Sequence, residues 1–100
     1  MIAKALGLLG LCARAGKVIS GEAAVDQAVK KKTACLVLLD GEAAQNARKA
    51  LSDACAYYGV TMLELPGGSL GQAIGKPGRM AAAITDQALA KRLAEQIRQP

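Results

Sequence analysis

The residues of this chain best suited to chemistry are its cations, and they come in groups. Arg14 and Lys17 flank a short Val18-Ile19-Ser20 segment, and Lys30, Lys31 and Lys32 close an amphipathic stretch. Lys76 and Arg79 bracket the turn-rich loop Gly75-Lys76-Pro77-Gly78-Arg79. A solvated surface charge accounts for any one group, and Lys30 to Lys32 also suit the negative end of a helix dipole. Gathered on one face, the groups would form a site for a polyanion, RNA or DNA first. Lysine and arginine number 13 against 8 aspartates and glutamates, a formal charge of +5 that agrees with such a partner without requiring it.

Other chemistries find little support. Histidine is absent, which removes the usual general base near neutral pH. The carboxylates Glu22, Asp26, Asp40, Glu42, Asp53, Glu64, Asp86 and Glu95 are scattered, and several fall at expected helix starts. Gly71 to Lys76 only superficially resembles a phosphate-binding loop: three residues separate its glycines where the motif needs four, and Pro77 follows the lysine. Cys12, Cys35 and Cys55 are odd in number and widely spaced, with no C-x-x-C pair to suggest zinc. They read as three reduced, buried thiols of a cytoplasmic protein. No catalytic set, metal site or cofactor is expected. With no Trp or Phe, and with Tyr57 and Tyr58 adjacent on one helix, bases are not expected to stack across a sheet. RNA would instead be met by phosphate contacts, helix N-termini and groove edges.

One hundred residues, 52% of them apolar, suffice for one domain with an aliphatic core. Met1 to Ala13 is apolar apart from Lys4, as in a short export signal, but it is too short to span a bilayer. Leu11 stands where a lipoprotein site needs a small residue before the cysteine. Ala5, Leu8, Leu9 and Cys12 fall at i, i+3, i+4 and i+7, so the segment reads as the first helix, Ile2 to Ala15. A strand over 17–20 follows. Ser20 then reads as the N-cap of a helix from Gly21 to Lys32 with Ala24, Val25, Ala28 and Val29 inward. Ala34 to Leu39 is an unbroken apolar run, the mark of an interior strand buried on both faces. Asp40-Gly41 reads as a turn, and a helix to Tyr58 carries Ala47, Leu51, Ala54, Cys55 and Tyr58 on one face. Val60 to Leu65 is a strand, Ser69 to Ile74 a short helix and Met80 to Ile84 the last strand. Thr85 or Asp86 caps a final helix with Leu89, Leu93 and Ile97 inward. Helices interleaved with four strands imply a three-layer α/β/α sandwich.

Three segments carry a family resemblance: Leu8 to Glu22, Leu36 to Asp40, and Leu70 to Arg79. Together they make essentially the whole chain similar to the L-seven-Ae and L-thirty-e type ribosomal proteins, the kink-turn-binding superfamily. The Ser20-Gly21-Glu22 turn and the Ile74-Gly75-Lys76-Pro77 loop resemble its bacterial YlxQ-like branch. The resemblance implies an α/β/α sandwich around a mixed four-stranded sheet, and a non-catalytic, ribosomal-protein-like partner of structured RNA. It implies an RNA edge built from the start of helix two, entered through Gly21, and from the loop Gly75 to Met80. Kink-turn-binding members carry Gly-x-Asn-Glu-x-x-Lys on that helix, because sheared G·A pairs leave guanine edges open to one acceptor and two donors. Here Gly21 matches and Glu22 follows it, but Ala23, Ala24 and Gln27 stand in place of Asn, Glu and Lys. Lys31 matches a basic position one turn further on. The expected edge therefore comprises Arg14, Lys17, Gly21, Glu22, Ala23, Ala24, Gln27, Lys31, Gly75, Lys76, Pro77 and Arg79. Its partner is RNA, structured or ribosomal, bound by a cytoplasmic monomer with no membrane association and without kink-turn specificity. The alternative is a protein-interaction module, on the ribosome or elsewhere, that has lost its RNA edge.

Overall fold

The computed structural model describes residues 2–99; Met1 and Pro100, which the sequence reading also covers, lie outside them. In chain order the elements are α1 (Ile2–Arg14), β1 (Val18–Ser20), α2 (Glu22–Lys30), β2 (Leu36–Asp40), α3 (Gln45–Tyr58), β3 (Met62–Leu65), α4 (Ser69–Ile74), β4 (Ala81–Ile84) and α5 (Gln87–Arg98). The strands form one sheet in the order β1-β4-β2-β3. β2 runs parallel to β3, and β4 is antiparallel to both β1 and β2, so the sheet is mixed.

The apolar run predicts the place of β2. It is interior, and all five of its residues are buried. Successive side chains of a strand point to opposite faces. Leu36 and Leu38 accordingly join a core with Leu8 and Leu9 of α1, Leu70 of α4 and Leu93 of α5. Val37 and Leu39 join a second core with Val25 and Val29 of α2 and Leu51 and Cys55 of α3. Helices thus cover both faces of the sheet, the three-layer arrangement expected. Among the described residues, no helix is long and apolar enough to cross a membrane.

Several local expectations shift. Ser20 does not cap α2. It ends β1 opposite Ala82, and the Gly21 N–H donates to the Ala81 carbonyl, so pairing with β4 continues until the helix begins. Gly21 is the N-cap and offers no side chain to the first turn. Ala24 is exposed rather than inward; Val25, Ala28 and Val29 form the buried seam, and Ala24 lies one helical step around from Val25. The helix closes at Lys30, and Lys32 turns the chain at φ 63. Ala90 and Leu93 are the buried residues of α5, while Leu89 and Ile97 are half-buried. Asp86 caps that helix, its Oδ1 accepting from the Leu89 N–H at 2.9 Å. Cys12 and Cys55 are buried, and burial pushes both thiols up; Cys35 is only half-buried.

Candidate nucleic-acid interface

The loop that meets the start of α2 is anchored from another strand. Asp40, the last residue of β2, is completely buried. Its Oδ1 accepts from the N–H groups of Glu42 and Gly68, both at 2.9 Å, and its Oδ2 from the Leu70 N–H at 3.1 Å. Burial opposes ionisation of this carboxyl, but the three amides outweigh it and hold the group below the ordinary aspartate range. The Asp40 N–H donates to the Met80 carbonyl at 2.8 Å. One residue therefore fixes the entrance to α3, the first turn of α4 and the far end of the loop after α4.

That loop lies flat against its own helix. Gly75 ends α4 at φ 74, and the Lys76 N–H reaches back to the Gly71 carbonyl at 2.8 Å, a Schellman-type closure. Gly71 is buried beneath it: a Cβ there would lie 2.8 Å from the Lys76 carbonyl oxygen and 3.1 Å from the Gly78 nitrogen. Close backbone approach thus requires glycine at 71. The Arg79 N–H returns to the Lys76 carbonyl at 3.3 Å, completing a tight turn that exposes Lys76, Pro77 and Arg79.

The turn meets the start of α2. Arg79 Nη1 makes a long contact, 3.4 Å, with the Ser20 carbonyl. Gly21 has φ 98, and a Cβ on it would stand 2.6 Å from the same Nη1, so the guanidinium lies directly over the N-cap. Lys76 shares a small hollow with Ala13, Ser20 and Ile74. Arg14, in the last turn of α1, lines a neighbouring groove with Gln72 and Gly75. Lys76 and Arg79 are thus brought to the start of α2, and Arg14 lines the groove beside their loop. On that helix Glu22, Ala23, Ala24 and Gln27 are all exposed. Ala23 and Gln27 are four apart and Ala24 and Gln27 three apart, so the three share one face.

Two expected members lie elsewhere. Lys31 is the C-cap of α2, roughly 15 Å along the axis from Gly21 at 1.5 Å per residue. Lys17 lies at the other end of β1, where its carbonyl accepts from the Thr85 N–H and hydroxyl. The start of α2 does not gather these two. Sequence reasoning misses Asp40 and Gly71. The only signal for Asp40 is an acid terminating a wholly apolar strand, which reads equally well as the first residue of a turn. Among the described residues, no group of three or more His, Cys, Asp or Glu is placed to hold a metal ion.

An α/β/α sandwich carrying a glycine-entered helix beside a basic, glycine-rich loop defines the class. Residues 3–94 match the Ribosomal protein L7Ae/L30e/S12e/Gadd45 family, and the chain belongs to it. Within that family it is 42% identical over 87 residues to the RNA-binding protein YlxQ of Bacillus subtilis (strain 168), covering 86% of this chain and 87% of the relative. It is 37% identical over 95 residues to the RNA-binding protein YlxQ of Enterococcus faecium, covering 94% and 91%. A solved Bacillus halodurans protein of unknown function superposes with a TM-score of 0.93 at 36% identity, over 97% of this chain and 99% of that one. The Giardia lamblia 15.5kD RNA binding protein shares the fold, with a TM-score of 0.76 at 24% identity over 94% and 82%.

Proposed function

We propose that the chain binds structured RNA, ribosomal or other, as a non-catalytic cytoplasmic protein, through the start of α2 and the Gly75–Met80 loop. The observation that carries this reading is the seating of Arg79 over Gly21, which joins the cationic loop to the positive end of a helix. Phosphates are met by Lys76, Arg79, Arg14 and the uncapped amides of the first turn. The YlxQ relatives, named as RNA-binding proteins, support the same partner. The exposed face of α2 offers Ala23, Ala24 and Gln27 to the bases, so recognition rests on backbone shape and charge rather than on guanine edges.

The test is a titration of a ribosomal RNA fragment at several salt concentrations. The double change Lys76→Ala, Arg79→Ala should weaken binding and flatten the dependence of log K on log salt by roughly 1.4–1.8, at 0.7–0.9 for each phosphate no longer neutralised. Unchanged affinity and slope in that variant remove this edge as the site. No binding by the unaltered chain at any salt turns the reading to the protein-interaction module.

A further inference from the structure

A second set of cations lies away from this edge. Among the described residues the ion pairs are Lys30–Asp26, Arg48–Glu64 and Lys49–Asp53. Lys4, Lys32, Lys91, Arg92 and Arg98 belong to none of them. These five line a chain of three adjoining depressions. The first, about 490 Å³, holds Lys32 and Tyr58 and shares Cys35, Thr61 and Gln87 with the second, about 350 Å³. The second carries Lys91 and shares Glu95 and Arg98 with the third, about 650 Å³, which adds Lys4 and Arg92. The path begins beside the first residues of β2 and β3 and continues along α5. It is lined by five cations and one acid, Glu95, and includes neither Gly21, Lys76 nor Arg79.

One of the chain's two aromatic residues lines this path, and the other packs against that residue. Tyr58 lines it, and Tyr57 packs edge-on against Tyr58 with ring centroids 4.8 Å apart. Tyr57 is 83% exposed. Lys32 itself occupies a left-handed conformation that glycine or asparagine adopts at less cost, so the turn holds a cation where a smaller residue would be easier. A cationic groove with an open ring at one end matches the means by which single strands are held: charge follows the backbone, and the ring takes a base. An acidic protein segment would use the cations and leave the ring face idle.

We propose that this groove is a second nucleic-acid site that takes a single-stranded RNA segment, its phosphates along Lys32, Lys91, Arg98 and Arg92 and a base on Tyr57. The site is independent of the Gly21–Arg79 edge, and the protein holds two RNA segments at once.

The test uses the full chain and fluorescein-labelled octauridylate, read by anisotropy at low salt. The groove pair Lys91→Gln, Arg98→Gln is compared with Lys30→Gln, Lys49→Gln, which removes the same formal charge from residues that do not line the groove, and with the edge pair Lys76→Gln, Arg79→Gln. The groove pair should flatten the salt dependence by about 1.4, for two single-strand phosphates, and should do so more than the Lys30/Lys49 pair. Tyr57→Ser should weaken binding by about five- to 160-fold, the range for one base stack. All the substituted residues are exposed, so thermal melting should be unchanged and serves as the folding check. Equal effects from the groove and Lys30/Lys49 pairs overturn the proposal, as does loss of binding in the edge pair alone. Competition by polyglutamate combined with indifference to Tyr57→Ser assigns the groove to an acidic protein and equally overturns it.

Discussion

The two halves of the Gly21–Arg79 edge keep different things. On the loop side the cations are held by backbone: Gly71 admits the turn, Asp40 anchors its helix, and Arg79 is seated over the neighbouring N-cap. On the helix side the backbone is equally well placed, but the outward face carries two alanines and a glutamine. Phosphate contacts position a nucleic acid, and base contacts specify it. A surface can therefore retain the first while lacking the second, and the contrast between loop and helix is a contrast between affinity and readout.

The largest expected effect comes from supplying the missing readout. The unaltered chain should bind a kink-turn little better than a duplex lacking the G·A pairs. Ala23→Asn, Ala24→Glu and Gln27→Lys together should create a preference, each well-made base contact adding about 1–3 kcal/mol of discrimination in parallel titrations. Tight, selective kink-turn binding by the unaltered chain would erase the contrast.

Asp40→Asn attacks the loop side from a distance. It replaces a charged acceptor by an amide and should cost about 1.5–3 kcal/mol in denaturant unfolding, with RNA binding weakened although Asp40 does not reach the surface. The carboxyl is more acidic folded than unfolded. Its stabilisation is therefore fully present above about pH 4 and is lost as pH falls through the folded value. The melting temperature of the unaltered chain should drop more steeply in acid than that of the variant; parallel curves would mean that Asp40 makes no such contribution. Gly71→Ala forces the turn off α4 and should cost about 1–3 kcal/mol as overpacking, again with weaker RNA binding. The smallest effect belongs to Lys31→Ala, which should alter structured-RNA affinity no more than Lys49→Ala does. A clearly larger loss would mean that the RNA runs the length of α2.

The sandwich is legible in the sequence because its strongest signal, the run from Ala34 to Leu39, needs only local composition to declare an interior strand. The helix faces follow from spacing, apart from Ala24, whose exposure depends on where α2 begins. That start is easily misread because Ser20 is a good N-cap by type, and only pairing with β4, far along the chain, keeps it in a strand. Asp40 escapes for a related reason. Asp-Gly after an apolar run reads as a turn, whereas its three amide partners come from segments 2 to 30 residues away. The loop and Gly21 are found through resemblance. What is not legible is which cations meet. Lys31 and Lys17 share a short stretch of chain with Gly21 but lie at the far ends of α2 and β1.

The strand order has a consequence for synthesis on the ribosome. β1 has one neighbour, β4, and Val18 finds its partner only at Ile84. The 64 residues from Ser20 to Ile84 must be made before that hairpin-free pairing can close, roughly 3–13 s at 5–20 residues per second. β2 and β3, joined through α3, can pair well before then. The nascent chain therefore carries a β1 without its sheet partner for most of its elongation, and Gly21, which donates to Ala81, reaches its final position only when β4 arrives. The Gly21–Arg79 edge is thus completed late, with only α5 and its share of the first core still to follow.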